Sequence, residues 1–66
     1  NPSEGQFQIE MVGTYTYTVT TIDGKVIVKN TANGNEIIDL TSEADGVYLL
    51  SILTNEGRFD TRLIKK

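Results

Sequence analysis

The longest nearly unbroken apolar stretch of the chain is Gly46-Val47-Tyr48-Leu49-Leu50-Ser51-Ile52-Leu53, which follows a turn rich in Asp, Ser and Gly. A run of this length, bounded by turn residues and carrying β-branched and aromatic side chains, predicts a strand with little water on either face. By the two-residue period, Tyr48, Leu50 and Ile52 share one face and Val47, Leu49, Ser51 and Leu53 share the other. Such a strand needs a packed layer on one side and at least partial cover on the other. It is the expected centre of a sheet.

The rest of the pattern is alternation. Phe7, Ile9 and Met11 alternate with Gln6, Gln8 and Glu10; Tyr15, Tyr17 and Val19 alternate with Thr16, Thr18 and Thr20. Both read as strands with one wet face, separated at Gly13, and the threonines serve as β-formers rather than as chemical groups. Thr21-Ile22-Asp23-Gly24-Lys25 is a hairpin turn with two open registers. A two-residue loop at Asp23-Gly24 sets Val19 opposite Val28; a three-residue loop, with Gly24 in the left-handed region, sets Val19 opposite Ile27. The slip decides whether Ile27 or the pair Val26 and Val28 faces the core.

Asn30 to Asn35 contains Asn-Gly and no large apolar residue, so it reads as a loop. Glu36 to Leu40 is a short strand with Ile38 and Leu40 inward, and Thr41 to Gly46 is the turn into the central strand. Thr54-Asn55-Glu56-Gly57 is a hairpin loop, and Arg58 to Ile64 is the last strand, with Phe59, Thr61 and Leu63 on one side. At the start, Asn1 to Gly5 reads as loop, with Pro2 holding the entry extended. Lys65 and Lys66 are expected either to fray or to lie along a sheet edge. No segment shows a 3.6-residue apolar period. Six strands, or seven if the first or last splits, predict an all-β fold: a small immunoglobulin-like antiparallel β-sandwich spanning residues 1–66 as one domain.

Composition narrows the function. A chain of 66 residues buries only about 60% of the surface its unfolded form exposes, and with no cysteine it has neither a disulfide nor a thiolate metal site. The net charge of −3 lacks the basic face of a general nucleic-acid binder. The charge is uneven, however. From Arg58 onward, Arg58, Arg62, Lys65 and Lys66 outweigh Asp60, whereas Lys25 and Lys29 stand among eight acids before it.

Histidine, cysteine and a Gly-rich phosphate loop are all missing, so the commonest general base, the thiol nucleophile and the usual transition-metal ligands go together. Asp39, Glu43 and Asp45 crowd one turn, but their spacing matches no calcium loop. A carboxylate pair for glycoside chemistry needs a cleft that so small a sandwich has little volume to make. No catalytic residue, cofactor or metal site is expected, and Tyr15, Tyr17 and Tyr48 read as packing rather than as a sugar-stacking row.

Three pieces of sequence then belong together. Near the start stands Asn1-Pro2-Ser3-x-Gly5-x-Phe7-x-Ile9. In the middle are Val19-x-x-Ile22-x-Gly24-Lys25 and Ile38-Asp39-Leu40, leading into Gly46-Val47-Tyr48-Leu49-Leu50. At the end is Arg62-Leu63-Ile64-Lys65-Lys66. In this order they resemble the type A C-terminal sorting domain of type IX (Por) secretion cargo from the Bacteroidetes, and the resemblance covers essentially the whole chain. Each piece alone is common; the combination, ending on a basic-apolar-basic stretch, is far more specific.

The resemblance implies an immunoglobulin-like sandwich carried at the end of an unrelated cargo, of which this chain would be the excised piece. It implies a signal that directs the cargo from the periplasm across the outer membrane, to the cell surface or the medium. The implied partners are translocon and shuttle proteins, a surface sortase that removes the domain and joins the cargo to lipopolysaccharide, and the cargo domain ahead of Asn1. Carried over, the recognition residues are Gly24, Lys25, Gly46, Tyr48, Leu63, Ile64, Lys65 and Lys66.

The family pattern also favours the three-residue hairpin loop, with Ile27 inward opposite Val19. The chain departs from it at Thr21, where the family often has Asp, and at Glu43-Ala44, where Leu-Pro is usual, so an apolar plug is absent from that turn. The last four residues are expected to form a mobile end, docking by strand addition in an acidic, partly apolar groove.

Two other readings compete. An accessory carbohydrate-binding or fibronectin-like module of a secreted hydrolase predicts exposed aromatics in a planar row. A structural spacer or adhesin repeat predicts further chain after Lys66. An exposed edge strand also leaves homodimer formation or strand exchange open.

Overall fold

The computed structural model describes residues 2–66, with side chains from Glu4 onward; Asn1, read above as the start of a loop, lies outside the described residues. Seven strands follow one another: β1 (Pro2–Ser3), β2 (Gln6–Ile9), β3 (Thr14–Thr21), β4 (Val26–Asn33), β5 (Glu36–Asp39), β6 (Gly46–Thr54) and β7 (Gly57–Lys65). They make a five-stranded sheet, ordered β1-β7-β6-β3-β4, and a two-stranded sheet, β2-β5. Six strands pair antiparallel; β1 pairs parallel with β7, which corrects the loop expected there, since Pro2 and Ser3 are held extended by the end of β7. The all-β sandwich is as expected, and β6 has β7 on one side and β3 on the other.

Alternation builds the core. Phe7, Ile9, Tyr15, Tyr17, Val19, Ile38, Leu40, Tyr48, Leu50 and Leu63 are all buried, and Val19 and Leu40 expose nothing. The tyrosine hydroxyls resolve what would otherwise be polar groups in an apolar layer. Tyr15 donates to the Gly34 carbonyl at 2.7 Å and Tyr17 to the Glu36 carboxylate at 3.0 Å, while Tyr48 donates to the Ala44 carbonyl. The first two bonds tie β3 to the entry into β5, so they hold the two sheets together. Burial, reinforced by the nearby Glu36 charge, raises the Tyr15 pKa, and burial raises that of Tyr17.

The β3–β4 hairpin combines both registers foreseen for it. The Thr21 amide donates to the Lys25 carbonyl at 2.9 Å, enclosing a three-residue loop, Ile22-Asp23-Gly24, with Gly24 at φ +99°. Thr20 then pairs with Val26, but Val19 pairs with Val28, so Ile27 is the extra residue of a β-bulge. The expected pairing of Val19 with Ile27 is therefore corrected. The bulge turns neighbouring side chains the same way: Ile27 and Val28 both pack against the core, and Val26 is 55% exposed.

The loop expected from Asn30 is also corrected, since β4 continues to Asn33, opposite Thr14. An edge strand over a small core needs few apolar residues. Here Ala32, opposite Tyr15, is the one that packs inward past Asn30, and the Thr16 and Thr31 hydroxyls meet at 3.1 Å on the outer face.

At the other end of the sandwich, Gly5 is buried at φ +135°, and a Cβ there would stand 2.8 Å from Thr41 Cα. The Leu40 amide donates to the Gly5 carbonyl at 2.7 Å. Gly5 thus lets the chain turn from β1 into β2 against the end of β5. The expected cover over the second face of β6 does not form a layer: Val47 and Leu49 are each 39% exposed and Leu53 56%. Leu49 is flanked in register only by Thr20 and Arg62.

Candidate functional site

The sheet register brings the sequence-named residues to one end of the molecule. Gly46 pairs with Lys65, Val47 with Ile64, and Tyr48 with Leu63 on one side and Thr21 on the other. Thr21 closes the β3–β4 turn, so Gly24 and Lys25 stand at this same end, and Lys66 follows directly on Lys65. Residues up to 42 positions apart in sequence, Gly24 and Lys66, therefore share one rim of the sandwich.

Their roles divide by exposure. Tyr48 and Leu63 are core residues, at 6% and 4% exposed. Gly24, Lys25, Gly46 and Lys66 face solvent, and Ile64 and Lys65 are half-buried. The hairpin tip is tightly bonded. The Gly24 amide donates to the Thr21 carbonyl at 3.0 Å, and the Lys25 amide to Thr21 Oγ1 at 3.0 Å. The Thr21 hydroxyl donates to the Asp23 carboxylate, and that bond holds the Asp23 pKa below the usual carboxylate range. A fixed backbone thus presents the Lys25 ammonium at the tip.

The tail is not a mobile end. β7 runs through Lys65, with β6 on one side and β1 on the other, Pro2 opposite Ile64 and Ser3 opposite Lys65. Lys65 Nζ lies 3.0 Å from Asp45 Oδ1, with its side chain only 10% exposed. The Lys65 stem is thus covered by its surroundings while its ammonium reaches the Asp45 carboxylate, which is largely exposed. Only Lys66 lies beyond the strand. Ile64 and Lys65 have strand partners on both sides, so in the folded domain these two do not dock by strand addition.

Asp45 was not singled out from the sequence as a partner of this rim; its position just before Gly46, opposite Lys65, was the available signal. The neighbouring acids do not converge. Asp39 accepts from the Thr41 amide at 2.9 Å and hydroxyl at 2.6 Å, which lowers its pKa, and Asp45 is committed to Lys65. Among the described residues no three potential metal ligands gather. The three tyrosines are buried, so they form no exposed aromatic row of the kind a carbohydrate-binding module requires.

Comparison with known families adds the deciding observation: the model for the secretion system C-terminal sorting domain matches residues 1–66. The chain belongs to this family of type IX sorting domains. No curated protein and no solved structure matches it. As a sorting domain it functions as the secretion signal of type IX cargo, acting by being recognised rather than by catalysis. Membership places the sorting domain among exported, surface-associated proteins that interact with a secretion system.

Proposed function

We propose that the sorting domain is the end piece of a longer cargo, 1–66 being the whole signal, and that the rim just described is its recognition surface. The observation that carries this reading is the convergence of Gly24-Lys25, Gly46 and Lys66 at one end of the sheet, braced by Tyr48, Leu63 and the Lys65–Asp45 pair. Outer-membrane translocon or shuttle proteins read the rim as the cargo leaves the periplasm, and a surface sortase then cuts ahead of the domain.

Physically, the exposed groups are two ammonium ions, Lys25 and Lys66, on a scaffold whose tip and strand end are held by backbone bonds. An acidic receptor surface complements them, and the fixed backbone lowers the ordering cost of docking. The buried members act through the fold. Recognition by charge and shape at this rim replaces the mobile-tail picture.

The test is export of a fluorescent reporter carrying an inner-membrane leader and this domain at its C-terminus, in a type IX-competent host and in a mutant lacking that system. The doubly substituted Lys25→Ala, Lys66→Ala domain should melt like the parent yet leave the reporter in the periplasm. Lys29→Ala, an exposed lysine in β4 away from the rim, should export normally. Normal export of the double variant would remove the rim as the recognition surface.

A further inference from the structure

The strand β7 is nine residues long, but β1 covers only its last two positions, Ile64 and Lys65. From Gly57 to Leu63 the outer edge of β7 pairs with no strand among the described residues. We propose that the cargo segment immediately ahead of Asn1 is the strand that fills this edge, lying parallel to β7. This rests on the reading above of the domain as the end piece of a longer cargo.

Direction and register carry the inference. β1 is parallel to β7, with Pro2 opposite Ile64 and Ser3 opposite Lys65. Extended backward, that ladder sets about six residues upstream of Asn1 opposite Arg62 back to Gly57. No other occupant begins already in register, and a covalently joined segment docks at high effective concentration.

The edge is regular and its charge lies on one face only. Arg58, Asp60 and Arg62 alternate along β7 on the outer face, where Arg58 meets Asp60 at 3.1 Å, and neither proline nor bulge interrupts the strand.

The other face shows what the segment should look like. Phe59, opposite Ile52 and on the same face of β7 as the buried Leu63, is 58% exposed. Beside it a groove opens between β7 and β2, walled by Thr61 and Leu63 on one side and Ile9 and Met11 on the other, with Leu50 and Ile52 at its floor. An extended segment with apolar side chains toward Phe59 and the groove, and polar or acidic ones toward Arg62, satisfies both faces and the backbone ladder together. The cargo junction is then part of the sheet rather than a free linker.

Hydrogen exchange on the full-length cargo tests this, followed through the β7 amides that point away from β6 between Gly57 and Leu63. Two prolines placed at alternate positions of the upstream segment lie outside the domain and leave its own fold intact. They should speed exchange of those β7 amides at least tenfold while leaving β3 and β6 unchanged. Equal exchange with and without the prolines overturns the proposal. Protection that survives the prolines but disappears on dilution overturns it in favour of a second copy of the chain. The unsubstituted cargo is exported in parallel. If it fails to leave by the type IX route, the sorting-cargo reading falls; if it exports but the β7 edge exchanges freely, only the strand assignment falls.

Discussion

Gly5 shows how one residue type can be dictated twice. Its backbone sits at φ +135°, where side chains are disfavoured, and the space a methyl group would take is filled by Thr41 at 2.8 Å. Gly5→Ala should destabilise the domain by about 1–3 kcal/mol through strain alone, with the contact adding to it, measurable by urea titration. Gly13→Ala should cost less: φ is +88° there, but nothing lies within 4 Å of the added carbon. The sequence marked Gly5 only as a spacing element, because a close approach between residues 36 apart leaves no local trace.

The titratable residues shape the pH response in two windows. Asp23, Asp39 and Asp60 have folded pKa values below 3.8, held down first by bonds from Thr21, Thr41 and Arg58 respectively. Their stabilisation is present above 3.8 and is lost as pH falls through the lower folded values. Tyr15 and Tyr17 are raised above 10.0, chiefly by burial, so their contribution is complete below 10.0 and is lost as pH rises through the folded values. Melting temperature should therefore be flat between these limits and fall outside them. Asp39→Asn should flatten the acid limb, and Tyr15→Phe the alkaline one; unchanged limbs would contradict these assignments.

Among the elements, those with apolar alternation were legible in advance: β2, β3, β5 and β6 bury a face that the two-residue period assigned, whereas β7 does so only at Leu63, with Phe59 and Thr61 exposed. β4 beyond Lys29 was not, because Asn30, Thr31 and Asn33 owe their strand conformation to the β3 ladder rather than to any apolar face. The bulge at Ile27 was hidden for a related reason. Turn chemistry left two registers open, and the chain combines them by adding one extra residue, Ile27.

Of the two expectations for the chain end, fraying or lying along a sheet edge, the second holds for Lys65, which Asp45 and β1 keep in place, so residues 63–65 are not a mobile tail. Deleting residues 63–66 should consequently unfold the domain rather than merely silence it. Leu63→Ala alone should cost about 2–5 kcal/mol, read from the denaturation midpoint. A tail-deleted domain that melts at the parental temperature would contradict this view of β7.

For the molecule as a whole, size sets the terms. A small sandwich cannot surround its central strand on both faces, so β6 shows Val47, Leu49 and Leu53 to solvent while its other face fills the core. The rim proposed for recognition was partly legible from sequence: the residues were named by family resemblance, but their meeting at one end follows from the pairings of β6 with β7 and β3, which no local pattern states. The rim and the vacant β7 edge are also different regions, so loss of one should leave the other intact in the export and exchange experiments.

The parallel seam between β1 and β7 has a mechanical consequence. Chain ahead of β1 leaves along one direction of the strands, and chain at the end of β7 leaves along the opposite one. A pull applied between cargo and the held end of the domain therefore loads the seam in shear. Its backbone bonds must stretch together instead of opening one after another, as they would in a hairpin pulled from its open end. With two paired positions the seam bears little force; each residue added to it shares the load. A carrier that tows its passenger is best joined in this way.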